Sequence, residues 1–107
     1  MDIAAAYEGV DTASYNITLT HIPQMWRQVR ALGRGDLTLS GHVHAMQLKF
    51  RLCGRWFSPA RIQYPLWSGL YADDSGSALY INDGIGTVGV PARIGARPEI
   101  TLITLRR

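Results

Sequence analysis

An α/β fold with a mixed sheet is predicted by three features: a strand-helix-strand unit over residues 15–40, a succession of strand-like segments without helices after residue 46, and 47% hydrophobic against 18% charged residues in a chain of 107. That composition is globular and excludes a disordered chain. The length fits one domain, 1–107.

Residues 1–10 are Ala-rich and suit a short helix, followed by a polar connection over 10–14. Residues 15–20, Tyr-Asn-Ile-Thr-Leu-Thr, are rich in β-branched side chains and read as a strand. Pro23 then takes the favoured first helical position. Met25, Trp26, Val29 and Leu32 recur at helical spacing on one face, and Gly33 and Gly35 stop the helix. Residues 36–40 begin a second strand, and a crossover through a helix sets two strands parallel. Residues 46–50, 69–71, 78–82 and 100–105 also read as strands, the middle pair joined by the turn Asp73-Asp74-Ser75-Gly76-Ser77. The stretch 51–68 shows neither period and reads as a long loop packed by its own aromatics, or as a lid. As a lid it would offer Arg51, Arg55 and Arg61 to a substrate phosphate.

Eleven Lys and Arg against eight Asp and Glu give a net charge of +3, too little for a protein that wraps nucleic acid but compatible with a local anion site. All the cations but Lys49 are arginine. The single cysteine, Cys53, excludes an internal disulfide and a Cys-based zinc site, so any metal sits on nitrogen and oxygen. No stretch approaches the ~20 apolar residues of a membrane span. Asp2 and Glu8 stand where a signal peptide needs cations, so the chain as written reads as soluble and cytoplasmic.

The three histidines fall just after the first two strands: His21 after one, His42 and His44 after the other. In a parallel α/β arrangement both positions lie at the carboxyl edge, where such sheets place their ligands. Cα atoms two residues apart in extended chain are roughly 7 Å apart, and a sharp turn at Gly41 would bring both imidazoles to one metal or to two adjacent ones. Each histidine taken singly suits a hydrogen-bonded surface residue; the cluster points to metal ligation by neutral imidazole. Three imidazoles and a water complete a tetrahedral zinc site, whereas a two-metal site also needs carboxylates. Asp36 lies at the wrong end of its strand, and Asp83 and Glu99 are distant in sequence. Gly84-Ile85-Gly86-Thr87-Val88-Gly89 matches a dinucleotide loop in its glycines only. Pro91 blocks the required helix and no acid can follow ~20 residues on, so these glycines are read as a backbone turn near the metal edge.

Asp36-Leu37-Thr38-Leu39-Ser40-Gly41-His42-Val43-His44, with the upstream Leu19-Thr20-His21-Ile22-Pro23, resembles the last two metal motifs of the calcineurin-like metallophosphoesterases. Gly69-Leu70-Tyr71, Leu79-Tyr80-Ile81-Asn82-Asp83-Gly84-Ile85-Gly86 and Arg97-Pro98-Glu99-Ile100-Thr101-Leu102 resemble the C-terminal end of the bacterial, often membrane-associated phosphodiesterase branch. The resemblance implies the C-terminal half of an α/β sandwich, with a strand-helix-strand unit followed by a β-rich tail. It also implies phosphomonoester or phosphodiester hydrolysis by two divalent ions, Mn, Fe or Zn, with His21 and His42 on the second metal and His44 on the first. Ala45-Met46-Gln47 departs from the Gly-Gly-Gln common in relatives, and Asp83 is a second departure.

The N-terminal motifs of that family, Asp-x-His, Gly-Asp-x-x-Asp and Gly-Asn-His-Asp or Glu, do not occur in this sequence. The chain therefore reads as a partial domain with Met1 as an internal start or boundary, inactive alone. Its expected partners are a phosphoester substrate and either an N-terminal half or a second copy of itself; membrane attachment would come through upstream sequence. The competing expectations are a self-sufficient mononuclear zinc hydrolase on His21, His42 and His44, and a non-catalytic interaction module that keeps the fold.

Overall fold

The computed structural model describes residues 2–106. Helix α1, Ile3–Ala6, begins at Asp2, whose carboxylate accepts the Ala5 N–H. Strand β1, Ile17–Thr20, is followed by a 3₁₀ turn at Pro23–Met25 that runs into helix α2, Trp26–Ala31, and strand β2, Leu37–Ser40. β1 and β2 pair in parallel with Ile17 opposite Leu37, as the crossover predicts. β5, Gly69–Ala72, and β6, Ala78–Ile81, form the predicted hairpin; β6 lies parallel to β2 and antiparallel to β5, giving a mixed sheet in the order β1-β2-β6-β5. Asp73 holds the hairpin turn by accepting from the Ser75 and Ser77 N–H groups.

Helix α2 covers one face of this sheet. Trp26 packs with Leu79 and Ile81, and its indole N–H donates to Ser77 Oγ, which in turn donates to the Gly35 carbonyl. Gly35, at φ +68°, brings the chain back against the sheet so closely that a Cβ there would stand 2.4 Å from Val29 Cγ1. Leu32, expected on the buried face, is exposed, because the helix ends at Ala31. The opposite face is largely open, with Ile17, Leu19 and Leu70 all exposed.

Three expectations are corrected. Residues 46–50 do not form a strand: His44–Gln47 is a tight 3₁₀-type turn, and regular pairing begins only at Phe50. Tertiary bonds outweigh strand propensity there, since the buried Gln47 carboxamide donates to the carbonyls of Val90 and Ala92 and accepts from the Val88 N–H. The stretch 51–68 is not a plain loop but holds the hairpin β3, Phe50–Leu52, with β4, Arg55–Phe57, and a helix α3, Ala60–Gln63. Cys53 and Gly54 make its two-residue turn at φ +49° and +77°, the sign pattern of a tight hairpin turn. Lastly, residues 100–105 form no strand and belong to no strand pair among the described residues. A strand needs a neighbouring edge, and this segment meets only side chains: Thr101 reaches Tyr80 and Asn82, and Thr104 to Arg106 come alongside Tyr15.

Candidate metal centre

His21 follows β1, and the loop after β2 carries His42 and His44, so all three stand beyond the carboxyl ends of adjacent parallel strands. Ser40 Oγ donates to the His21 carbonyl at 2.9 Å and ties the two loops together. The imidazoles of His21 and His42 lie ring to ring, centroids 4.1 Å apart and planes tilted by 45°. Tyr64, from the segment after α3, meets His42 edge-on at 6.2 Å and links it to a small core of Val43, Ala45, Ala60, Trp67 and Ala96.

The loop pays for this placement in backbone conformation. His42, His44, Ala45, Met46 and Gln47 all have φ between +45° and +59°, a region that costs a non-glycine residue about 1–3 kcal/mol. Such a conformation persists only where neighbours over-determine it. The Gln47 bonds do so from one side, and Ser58 Oγ, donating to the Ala45 carbonyl at 2.6 Å, does so from the other. Ala45 and Met46 thus occupy the left-handed positions that glycine would take without strain.

His44 is half-buried against Gly84, where a Cβ would stand 2.8 Å from its Nδ1. Gly84 is therefore the backbone turn expected beside the histidines, and only glycine leaves the ring its space. Nδ1 of His44 is buried without a hydrogen-bond partner among the described residues. His42 titrates below its ordinary value, chiefly through partial desolvation and then through the like charges of His21 and His44. A lowered value favours the neutral imidazole that a metal requires.

The His21 and His42 rings meet each other, and the His44 ring packs against Gly84. Among the described residues no group of three His, Cys, Asp or Glu side chains is placed to hold one metal ion. The carboxylates are committed elsewhere: Asp36 Oδ2 accepts the Asn16 N–H at the far end of the strands, and Asp83 pairs with Lys49 at 2.9 Å.

The arginines expected to meet substrate do not come together. Arg51 lines a groove with Trp56 and Arg97, Arg61 lies over the Phe57 ring beside Pro59 and Ile62, and Arg55 is exposed at the hairpin turn. Sequence reasoning missed Tyr64 as the support of His42, and nothing in its sequence neighbourhood marks that role. It also missed Asp83 as a buried ion-pair partner; the adjacent glycines were the available signal, since they carry the chain back to His44.

No family model matches the chain, and no solved structure matches it. Curated relatives do. A zebrafish (Danio rerio) protein named "Transmembrane protein with metallophosphoesterase domain" is 38% identical over 109 aligned residues, covering 100% of this chain and 24% of its own length. A bovine (Bos taurus) protein of the same name is 35% identical, covering 99% of this chain and 23% of its own length. An uncharacterized metallophosphoesterase of Aquifex aeolicus is 30% identical, covering 92% of this chain and 36% of its own length. The chain thus spans about a quarter to a third of the length of the curated relatives it matches. Near-complete coverage of this chain by several such proteins, joined to histidines at the carboxyl ends of parallel strands, shows that it belongs to the metallophosphoesterases and corresponds to a C-terminal part of them.

Proposed function

We propose that this chain contributes histidine ligands to the two-metal centre of a phosphoester-hydrolysing domain, with His21 and His42 on one divalent ion and His44 on the other. The observation that carries the reading is the juxtaposition of the His21 and His42 rings at 4.1 Å, beyond adjacent parallel strands. The buried, unpartnered Nδ1 of His44 supports the second assignment; imidazole donors suit Fe or Zn, and Mn would rely on carboxylates added from outside this chain. When bound, such ions polarise the phosphoryl group and offset the charge that develops during displacement.

What the chain's own residues do is hold and orient. Tyr64 braces His42, Gly84 gives His44 room, and the bond from Ser40 to the His21 carbonyl keeps the two loops in register. A bridging carboxylate and the remaining ligands would come from an N-terminal portion, so the chain alone binds metal weakly and does not turn over. The open sheet face around Ile17, Leu19 and Leu70 is then the surface on which that portion packs, with a second copy as the competing occupant. Among the described residues no helix is long and apolar enough to cross a membrane. The two vertebrate relatives named transmembrane proteins support membrane association of a longer protein through sequence outside this chain.

The test is elemental analysis of the purified chain together with an aryl phosphodiester assay. Substoichiometric metal that falls by at least ~10-fold in His42→Ala, with no turnover, is the expected outcome. One tightly held zinc per chain, or metal-dependent turnover lost on His42→Ala, would overturn it.

A further inference from the structure

A groove of about 580 Å³ lies beside the histidine loop, bounded by Lys49, Arg51, Trp56, Asp83, Arg97 and Glu99, within the size range of small-ligand sites. Its polar groups are unequally committed. Lys49 Nζ is fixed by Asp83 Oδ2 and Ser68 Oγ, each at 2.9 Å, and rests over the Trp56 and Trp67 rings at 5.0 and 5.8 Å. Glu99 accepts from Tyr80, Thr101 and the Asp83 N–H. Arg51 and Arg97, by contrast, form no ion pair among the described residues.

Two further features point to a ligand. Asp83 is 4% exposed, and its Oδ1 is buried without a hydrogen-bond partner among the described residues, a costly state for a carboxylate oxygen that a donor would relieve. Arg51 and Trp56 are direct cross-strand partners in the β3–β4 hairpin, so guanidinium and indole project from the same face. Trp56 is 50% exposed, although Lys49 stands over its ring. Gly95 packs tightly in the groove wall, where a Cβ would lie 1.7 Å from the Lys49 carbonyl oxygen.

We propose that this groove binds a phosphate monoester carrying a planar ring, of the nucleoside monophosphate type. Arg51 and Arg97 meet the phosphate, Trp56 stacks on the ring, and Asp83 Oδ1 accepts from a ligand hydroxyl or N–H. Guanidinium forks match phosphate oxygens, and base-on-indole stacking adds further affinity. The site needs no metal and stands independently of the two-metal reading.

Calorimetric titration of the chain with adenosine 5′-monophosphate in the presence of a chelator tests it, with tryptophan fluorescence as a second readout. Saturable 1:1 binding is expected, weakened at least about tenfold in Arg97→Ala and in Arg51→Ala and accompanied by a fluorescence change that disappears in Trp56→Phe. Inorganic phosphate should bind more weakly than the nucleotide. Circular dichroism of the variants, whose altered side chains are exposed, checks that they fold. No binding, binding unaffected by both arginine variants, or equal affinity for phosphate and nucleotide would each overturn the proposal, whatever the metal content of the histidine loop.

Discussion

Thr38, Leu79 and Ile81, on the sheet face beneath α2, are each 0% exposed, whereas Ile17, Leu19 and Leu70 on the reverse of the same sheet are 50%, 78% and 68% exposed. Strand pairs of the parallel kind are ordinarily covered on both faces. Here one face is closed by α2 and the other is only crossed by residues of the C-terminal segment. The chain-wide figures agree: 7573 Å² of accessible surface against ~5,900 Å² for a compact protein of this mass, and a radius of gyration of 15.0 Å against ~13 Å. The difference teaches that the covered face is built from this chain's own residues, while the open face leaves apolar side chains to solvent. That fits a chain matching only about a quarter to a third of its relatives' length.

The sharpest way to test that contrast is to truncate one residue on each face. Leu79→Ala removes a fully buried side chain from the Trp26 cluster and should cost ~2–5 kcal/mol, read as a lower urea midpoint. Leu19→Ser, on the open face, should cost less than ~1 kcal/mol and should reduce self-association in analytical ultracentrifugation. Equal destabilisation by both would mean that Leu19 is as fully covered in solution as Leu79.

Gly35→Ala examines the tightness of the covered face without removing any atom. The added Cβ would meet Val29 Cγ1 at 2.4 Å and the Thr38 and Thr18 hydroxyl oxygens at 3.1 and 3.2 Å, at a backbone φ of +68°. Crowding and left-handed strain together should cost roughly 1–3 kcal/mol. Gly33→Ala is the control, since it shares the positive φ but meets nothing within 4 Å. The difference between the two variants isolates the packing contribution.

The covered face was legible in the sequence because its signals are local. Pro23, the Trp26 and Val29 spacing, the glycines after the helix and the β-branched run before it give strand, helix and strand without tertiary information. Placement of the histidines at one edge followed from topology alone. Residues 42–47 were not legible, since their left-handed run is imposed by Gln47 and Ser58 from distant segments. The β3–β4 hairpin was missed because three-residue strands are shorter than any window that reveals a period. Residues 100–105 have strand propensity, yet Ile100, Leu102, Ile103 and Leu105 are all exposed, because propensity does not supply a partner edge.

The smallest expected effect concerns how that segment is tied to the open face. Glu99 holds it to β6: its carboxylate accepts from Tyr80, Thr101 and the Asp83 N–H, the last at 3.0 Å. Burial pushes the Glu99 carboxyl up, but the hydrogen bonds from Thr101, Tyr80 and Asp83 outweigh it, and the group titrates below its ordinary 4.5. A carboxyl depressed in the folded state contributes stability that is fully present above its unfolded value and is lost as the pH falls through the folded one. Stability should therefore hold down to about pH 4.5 and decline below it. The Glu99 share should be under ~1 kcal/mol, because the group is only partly shielded from water. Tyr80→Phe removes one donor, raises the folded-state value of Glu99 toward 4.5 and should make that decline shallower. Glu99→Gln should flatten this part of the profile and, by loosening residues 100–106, increase amide exchange there. An acid profile identical in the wild type and Glu99→Gln would show that the segment is held by its apolar side chains rather than by this carboxylate.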